Sequence, residues 1–155
     1  MSASSPWELR KFVAPEFVFG VDARNLVGRY ARNLGAGRVL LVSDPGVRAA
    51  GWVDEAAENL RAEHIEVTVF TEVSPNPRDQ QVMAGAEVFR QHQCDFIVAV
   101  GGGSPMDAAK GIGIVASNGG HILDYEGVDR VAVPMPPLIC IPTTCGTAAD
   151  VSQFA

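Results

Sequence analysis

The sequence has no run of apolar residues that approaches the roughly 18–20 needed for a membrane-spanning helix. Its start, MSASSPWELRKF, also lacks the long apolar core of a signal peptide. We therefore expect a cytoplasmic protein without a membrane partner.

Basic residues and cysteines are also few. Against 18 Asp and Glu there are 12 Lys and Arg, which gives a net charge of −6. Proteins that bind nucleic-acid backbones carry a basic face, so this charge argues against a nucleic-acid partner but leaves room for one local anion site.

The three cysteines, Cys94, Cys140 and Cys145, are odd in number and include no CxxC pair. We expect them to be free thiols in a reducing compartment.

The apolar segments that are present alternate between two periodicities. Uninterrupted strand-like runs occupy 38–43, 96–100 and 138–141, and an alternating one occupies 65–70, with helix-like spacing between them. This order predicts an α/β fold: a Rossmann-like parallel sheet with helices on both faces. Before it, residues 12–14 and 17–19 flank Pro15 and predict an extended hairpin. Asp22 and the Asn76-Pro77 pair are predicted to start the first and third helices.

Three glycines, Gly101, Gly102 and Gly103, lie between a predicted buried strand and a predicted helix. Ser104 and Asp107 have the S-x-x-D spacing of a capping box, so one interpretation is a turn followed by a cap. The other is a phosphate lying on bare backbone at a positive helix end. A tight turn needs one or two glycines, and capping does not account for Gly101 and Gly102. The triplet therefore favours phosphate.

Two further strand ends carry polar residues. Asp44 follows the first buried strand, where a carboxylate could bind two ribose hydroxyls or could form an Asx-turn at Asp-Pro-Gly. The segment Pro142-Thr-Thr-Cys-Gly-Thr147 has hydroxyls that suit a nucleotide, although such loops are common. No G-x-G-x-x-G follows the first strand. Spacing alone therefore predicts only a nucleotide-binding α/β domain.

Five stretches, taken together, resemble the iron-containing (group III) alcohol dehydrogenases. They are Val42-Ser-Asp-Pro45, Ser74-Pro-Asn-Pro77, Gly101-Gly-Gly-Ser-Pro-Met-Asp-Ala-Ala-Lys110, Leu123-Asp-Tyr-Glu-Gly127 and Pro142-Thr-Thr-Cys-Gly-Thr-Ala-Ala-Asp150. Their order and spacing fit across nearly the whole chain. The last stretch ends in GTAAD, which is similar to the GTAAE of the lactaldehyde reductase and 1,3-propanediol dehydrogenase branch.

The resemblance implies hydride transfer between an alcohol or aldehyde and NAD. It implies that residues 1–155 are the N-terminal NAD-binding domain of a two-domain enzyme, inactive alone, which assembles as a homodimer or larger. The residues 150–155 look like the start of another element, so we expect a chain cut from something longer.

The resemblance also assigns roles to individual residues. The turn Gly101–Ser104 would hold the pyrophosphate, and Asp44 would bind the adenosine ribose and favour NAD over NADP. Asp107 would lie toward the nicotinamide. The remaining candidates, around the adenine and phosphates, are Asn76, Thr143, Thr144 and Thr147.

The resemblance places a divalent iron or zinc ion on an Asp and three His of a helical second domain. This chain has only His64, His92 and His121, without an i,i+4 pair, so we predict that it binds no metal by itself. Two alternatives remain: a relative of the glycerol dehydrogenases or dehydroquinate synthases, and a non-catalytic nucleotide-binding module. Ser104 counts against a glycerol dehydrogenase, which commonly has Lys there.

Overall fold

The computed structural model describes residues 16–127, 129–146 and Ala149. Four parallel strands form one sheet in the order β2-β1-β3-β4. The strands are β1 Arg38–Val42, β2 Glu66–Phe70, β3 Phe96–Gly101 and β4 Leu138–Pro142. The α-helices are α1 Val27–Asn33, α2 Pro45–Ala49, α3 Trp52–Ala62, α4 Asp79–Gln91 and α5 Gly103–Asn118. Short 3-10 helices span Ala23–Leu26 and Ile122–Tyr125.

The two central strands supply both hydrophobic cores. Leu40 and Ile97 point into the layer formed with α4 and α5, whereas Leu41 and Val98 point into the layer formed with α1 and α3. All four side chains are fully buried. Successive side chains of a strand face opposite sides of a sheet, so a continuously apolar strand requires a covered surface on each side. The predicted parallel sheet with helices on both faces is confirmed.

The connections reverse direction between β1 and β3. From β1 the chain passes through α3 to β2, which lies toward one end of the sheet. From β3 it passes through α5 to β4, which lies toward the other end. The segments that leave β1 and β3 therefore diverge onto opposite faces of the sheet. In open α/β sheets, ligands bind in the crevice at such a point, outside the carboxyl ends of the strands.

Two predicted helix starts are wrong. Asp22 has φ 59° and makes no capping hydrogen bond, and a 3-10 turn follows it. Asn76 has φ 55°, and the N-cap of α4 is Arg78, two residues later. A helix N-cap residue has an extended backbone, which these left-handed conformations do not provide.

The predicted N-terminal hairpin is not tested. Residues 16–19 form no strand within the described part of the chain. The other arm, residues 12–14, lies outside the described residues. Among the residues that the structure describes, no helix is long and apolar enough to cross a membrane.

Candidate functional site at the carboxyl edge of the sheet

Helix α5 begins earlier than the sequence predicts. Its N-cap is Gly102, with an extended backbone, and Ser104 lies inside the first turn. The predicted Ser104 cap and Ser104–Asp107 capping box are therefore wrong. The reason is that Pro105 occupies the third helical position, which is allowed because the first-turn N–H groups have no partner within the helix.

The start of α5 exposes hydrogen-bond donors. Gly102 has no side chain that could accept them, and Pro105 has no N–H. Within the described residues, the N–H groups of Gly103 and Ser104 have no acceptor. The helix is 16 residues long, so its dipole adds positive potential at this end. This end of α5 is suited to an anion such as a phosphate.

The first of the three glycines is required by the packing of the protein itself. Gly101 has φ 146°, and a Cβ there would lie 2.7 Å from Cγ of Pro105. A Cβ on Gly102 would lie 3.0 Å from Oγ1 of Thr144, an exposed side chain that would have to move by only a few tenths of an ångström. The expectation that capping leaves these glycines to be explained by a ligand is therefore incomplete for Gly101, because Pro105 already excludes a Cβ there.

The segment after β4 lies against this turn. The N–H of Thr143 donates to the carbonyl oxygen of Gly101 at 2.8 Å, which extends the pairing of β3 and β4 beyond the strand ends. Thr144 follows, exposed and close to Gly102. The candidate Thr147 lies outside the described residues.

Asp44 has two carboxylate oxygens in different situations. Oδ1 accepts from the N–H of Val47 at 2.9 Å and caps α2. Oδ2 lies 3.4 Å from the position of a Cβ on Gly101 and has no hydrogen-bond partner among the described residues. The local turn thus occupies only Oδ1, and Oδ2 remains available for a ligand at the crevice.

Ser43 is a residue of this edge that the sequence reasoning missed. Its side chain is fully buried, and its hydroxyl donates to the carbonyl oxygen of Val100 at 2.6 Å. This bond fixes the end of β1 to the end of β3, directly beneath Asp44 and Gly101. The sequence did contain a signal for this residue, because Ser43 is the polar end of the otherwise apolar run 38–43.

Three more polar residues lie along the start of α5. The backbone N–H of Asn76 donates to Oγ of Ser104 at 3.4 Å, so the β2–α4 loop reaches the candidate site. Asp107 lies one turn further along, with a carboxylate oxygen 3.5 Å from Nζ of Lys110. The two residues are three apart in sequence, which places them on the same face of the helix. Lys110 is only 8% exposed, so it is no solvated surface residue.

The histidines do not gather at this edge. His64 follows α3 and His92 ends α4, at the opposite edge of the sheet. His121 lies in the loop after α5, with Nε2 3.7 Å from Oδ2 of Asp79. Within the part of the chain that the structure describes, no group of three or more His, Cys, Asp or Glu could hold a metal ion.

Comparison with known proteins agrees with this geometry. Residues 14–155 match the family model of the iron-containing alcohol dehydrogenases. The chain belongs to this family. The resemblance identified from the five sequence stretches is thereby confirmed, including its 1,3-propanediol dehydrogenase branch.

Individual members of the family are similar over most of this chain. It is 46% identical to 1,3-propanediol dehydrogenase of Citrobacter freundii, and the match covers 87% of this chain and 35% of the relative. It is 41% identical to NAD-dependent methanol dehydrogenase of Bacillus methanolicus, covering 93% of this chain and 38% of the relative. A crystal structure of 1,3-propanediol oxidoreductase superposes with a TM-score of 0.89 at 43% identity, covering 94% and 38%. The chain thus spans little more than a third of these alcohol dehydrogenases.

The residues at the crevice fit a dinucleotide. Two N–H groups without acceptors at the start of α5 suit a pyrophosphate, and Oδ2 of Asp44 suits a ribose diol. They do not fit a metal ion, because the described residues provide no cluster of ligands.

Proposed function

We propose that this chain is the NAD-binding half of a metal-dependent alcohol dehydrogenase, which transfers hydride between NAD and an alcohol or aldehyde. One observation carries the proposal. The acceptor oxygen of Asp44 and the open N–H groups of α5 face one crevice where the sheet reverses direction. The name of the B. methanolicus relative, an NAD-dependent methanol dehydrogenase, supports the choice of cofactor.

Each residue of the crevice then has a binding role. The N–H groups of Gly103 and Ser104 donate to the pyrophosphate, and Gly102 leaves the backbone bare. Oδ2 of Asp44 accepts from the ribose and repels the 2′-phosphate of NADP. Bound NAD supplies the hydride acceptor or, once reduced, the donor.

The remaining candidates belong to the same proposal. Thr143 and Thr144 narrow the phosphate side of the crevice, and Thr147 is proposed to continue that side. Asn76 is proposed to contribute near the adenine and phosphates, and Asp107 toward the nicotinamide.

The rest of the proposed enzyme lies beyond these residues. We propose that residues 1–155 form its cofactor domain and that a divalent iron or zinc ion is held by residues outside the described part. A homodimer or larger assembly in the cytoplasm is part of the same proposal.

Titration of NADH into the purified chain, followed by nicotinamide fluorescence, tests the function. We expect saturable binding that is weakened in Asp44→Ala and lost in Gly103→Val. Ala84→Val, on an exposed position of α4, adds similar bulk away from the crevice and should bind as the unmodified chain does. Unchanged binding in both crevice variants would overturn the site, and absence of binding by the unmodified chain would overturn the function.

A further inference from the structure

The side-chain carbonyl of Gln81 collects three donors from the loop that joins β2 to α4. Its Oε1 accepts from the N–H of Ser74 at 3.4 Å, the hydroxyl of Ser74 at 3.1 Å and the N–H of Arg78 at 3.2 Å. Gln81 lies in the first turn of α4, so this one oxygen holds both ends of residues 74–78 to the helix.

The same loop reaches the start of α5. At its beginning, Val73 is 1% exposed and anchors the chain in the core. At its tip, the N–H of Asn76 donates to Oγ of Ser104 at 3.4 Å, although 28 residues separate the two in sequence. Residues 74–78 contain no helix or strand, so their position depends on Val73 and on the bonds to Gln81.

The bond from Asn76 determines what the Ser104 hydroxyl can do. A hydroxyl has one donor and two acceptor lone pairs. Because Oγ accepts from the N–H of Asn76, the hydroxyl proton is not used in this bond and can be donated elsewhere. Hydrogen bonds in such chains polarise one another, which makes the hydroxyl a better donor.

We propose that Gln81 is a positioning residue for pyrophosphate binding. It holds the 74–78 loop so that the backbone of Asn76 orients the hydroxyl of Ser104 toward a phosphate oxygen of the dinucleotide. This inference rests on the proposed function, because it needs NAD at the start of α5. It gives Asn76 a role near the phosphates through its main-chain N–H.

The test compares NAD affinities of Gln81→Met, which keeps the length but removes the acceptor, and Gln81→Glu, which keeps an acceptor oxygen. We expect Gln81→Met to raise the Kd for NAD by roughly fivefold or more, the size of one ordinary hydrogen bond. Gln81→Glu should stay within about threefold of the unmodified chain. Gln80→Met, at the exposed neighbouring position, is the matched control and should not change the Kd.

A double-mutant cycle separates positioning from general loosening of the fold. In a Ser104→Ala background, Gln81→Met should cause no further loss of NAD affinity, because its effect passes through the Ser104 hydroxyl. A loss that simply adds to that of Ser104→Ala would overturn the proposal. Gln81→Glu binding as weakly as Gln81→Met would also overturn it.

Asn76 provides an independent check. Asn76→Gly keeps access to the left-handed backbone at φ 55°, whereas Asn76→Val disfavours it. We expect Asn76→Val to weaken NAD binding more than Asn76→Gly does, because only glycine keeps the backbone conformation that directs the N–H of residue 76 to Ser104. Equal losses in both would assign the effect to the side chain and overturn the proposed role.

If the unmodified chain binds NAD and Gln81→Met matches it, only this inference fails. If the unmodified chain does not bind NAD, the proposed function fails as well.

Discussion

Oδ2 of Asp44 lies 3.4 Å from the position that a Cβ on Gly101 would occupy, at the centre of the carboxyl edge of the sheet. The two residues follow or end adjacent parallel strands, and the Ser43 hydroxyl joins those strand ends directly beneath them. The proposed ribose acceptor therefore lies beside the glycine turn that leads into α5.

Gly101→Ala should destabilise the fold. The added Cβ would lie 2.7 Å from Pro105 and would also be strained at φ 146°, so we expect a loss of about 1–3 kcal/mol in the free energy of unfolding. Gly35→Ala is the control, because it has φ 89° but nothing within 4 Å. Gly35→Ala should lose only the free energy that comes from backbone strain, about 1 kcal/mol. Urea denaturation of both variants measures the difference, and equal losses would contradict the Pro105 contact.

Asp44→Asn and Asp44→Ala should separate capping from cofactor choice. The amide oxygen of Asn can still accept from Val47, so stability should be nearly kept, while Asp44→Ala should lose about 1 kcal/mol. Both remove the charge that repels a 2′-phosphate. We expect the ratio of NADP to NAD dissociation constants to fall about tenfold in each, or by about 1.4 kcal/mol. An unchanged ratio would remove Asp44 from the ribose site.

Leu40→Ala should be strongly destabilising because the side chain is fully buried in the central strand. We expect a loss of about 2–5 kcal/mol. Leu34→Ala is the matched control, since Leu34 is 58% exposed at the end of α1. Thermal unfolding followed by circular dichroism compares them, and similar losses would contradict the described core.

Cys94 should resist alkylation while Cys145 reacts. Burial raises the pKa of the Cys94 thiol, and the nearby Asp95 carboxylate adds to that effect. A raised pKa means less thiolate at a given pH, and the thiolate is the reactive form. Cys145 is exposed. Peptide mapping after iodoacetamide treatment at pH 8 should find Cys145 modified and Cys94 modified only after unfolding. Equal rates in the folded chain would contradict the burial of Cys94.

The fold could be predicted from the sequence because continuously apolar strands such as β3 have few alternatives to a doubly covered parallel sheet. Helix starts were less predictable. Proline is compatible with any of the first helical positions, so Pro105 did not fix where α5 begins. Pro77 lies outside α4, one residue before its N-cap Arg78.

The site was predictable where it depends on topology. Asp44 and the glycine turn follow neighbouring strands, so parallel pairing brings them to one edge. The position of Thr144 beside Gly102 and the three hydrogen bonds to Gln81 depend on how loops pack, which no local pattern encodes.

The dinucleotide site at the start of α5 is tested most directly by an NMR titration of the 15N-labelled chain with NAD. We expect saturable shifts in the backbone amides of Gly102, Gly103 and Ser104, with smaller shifts at Val47 and Thr143. Saturable binding that leaves these amides unchanged and shifts others, or no binding at all, would contradict it.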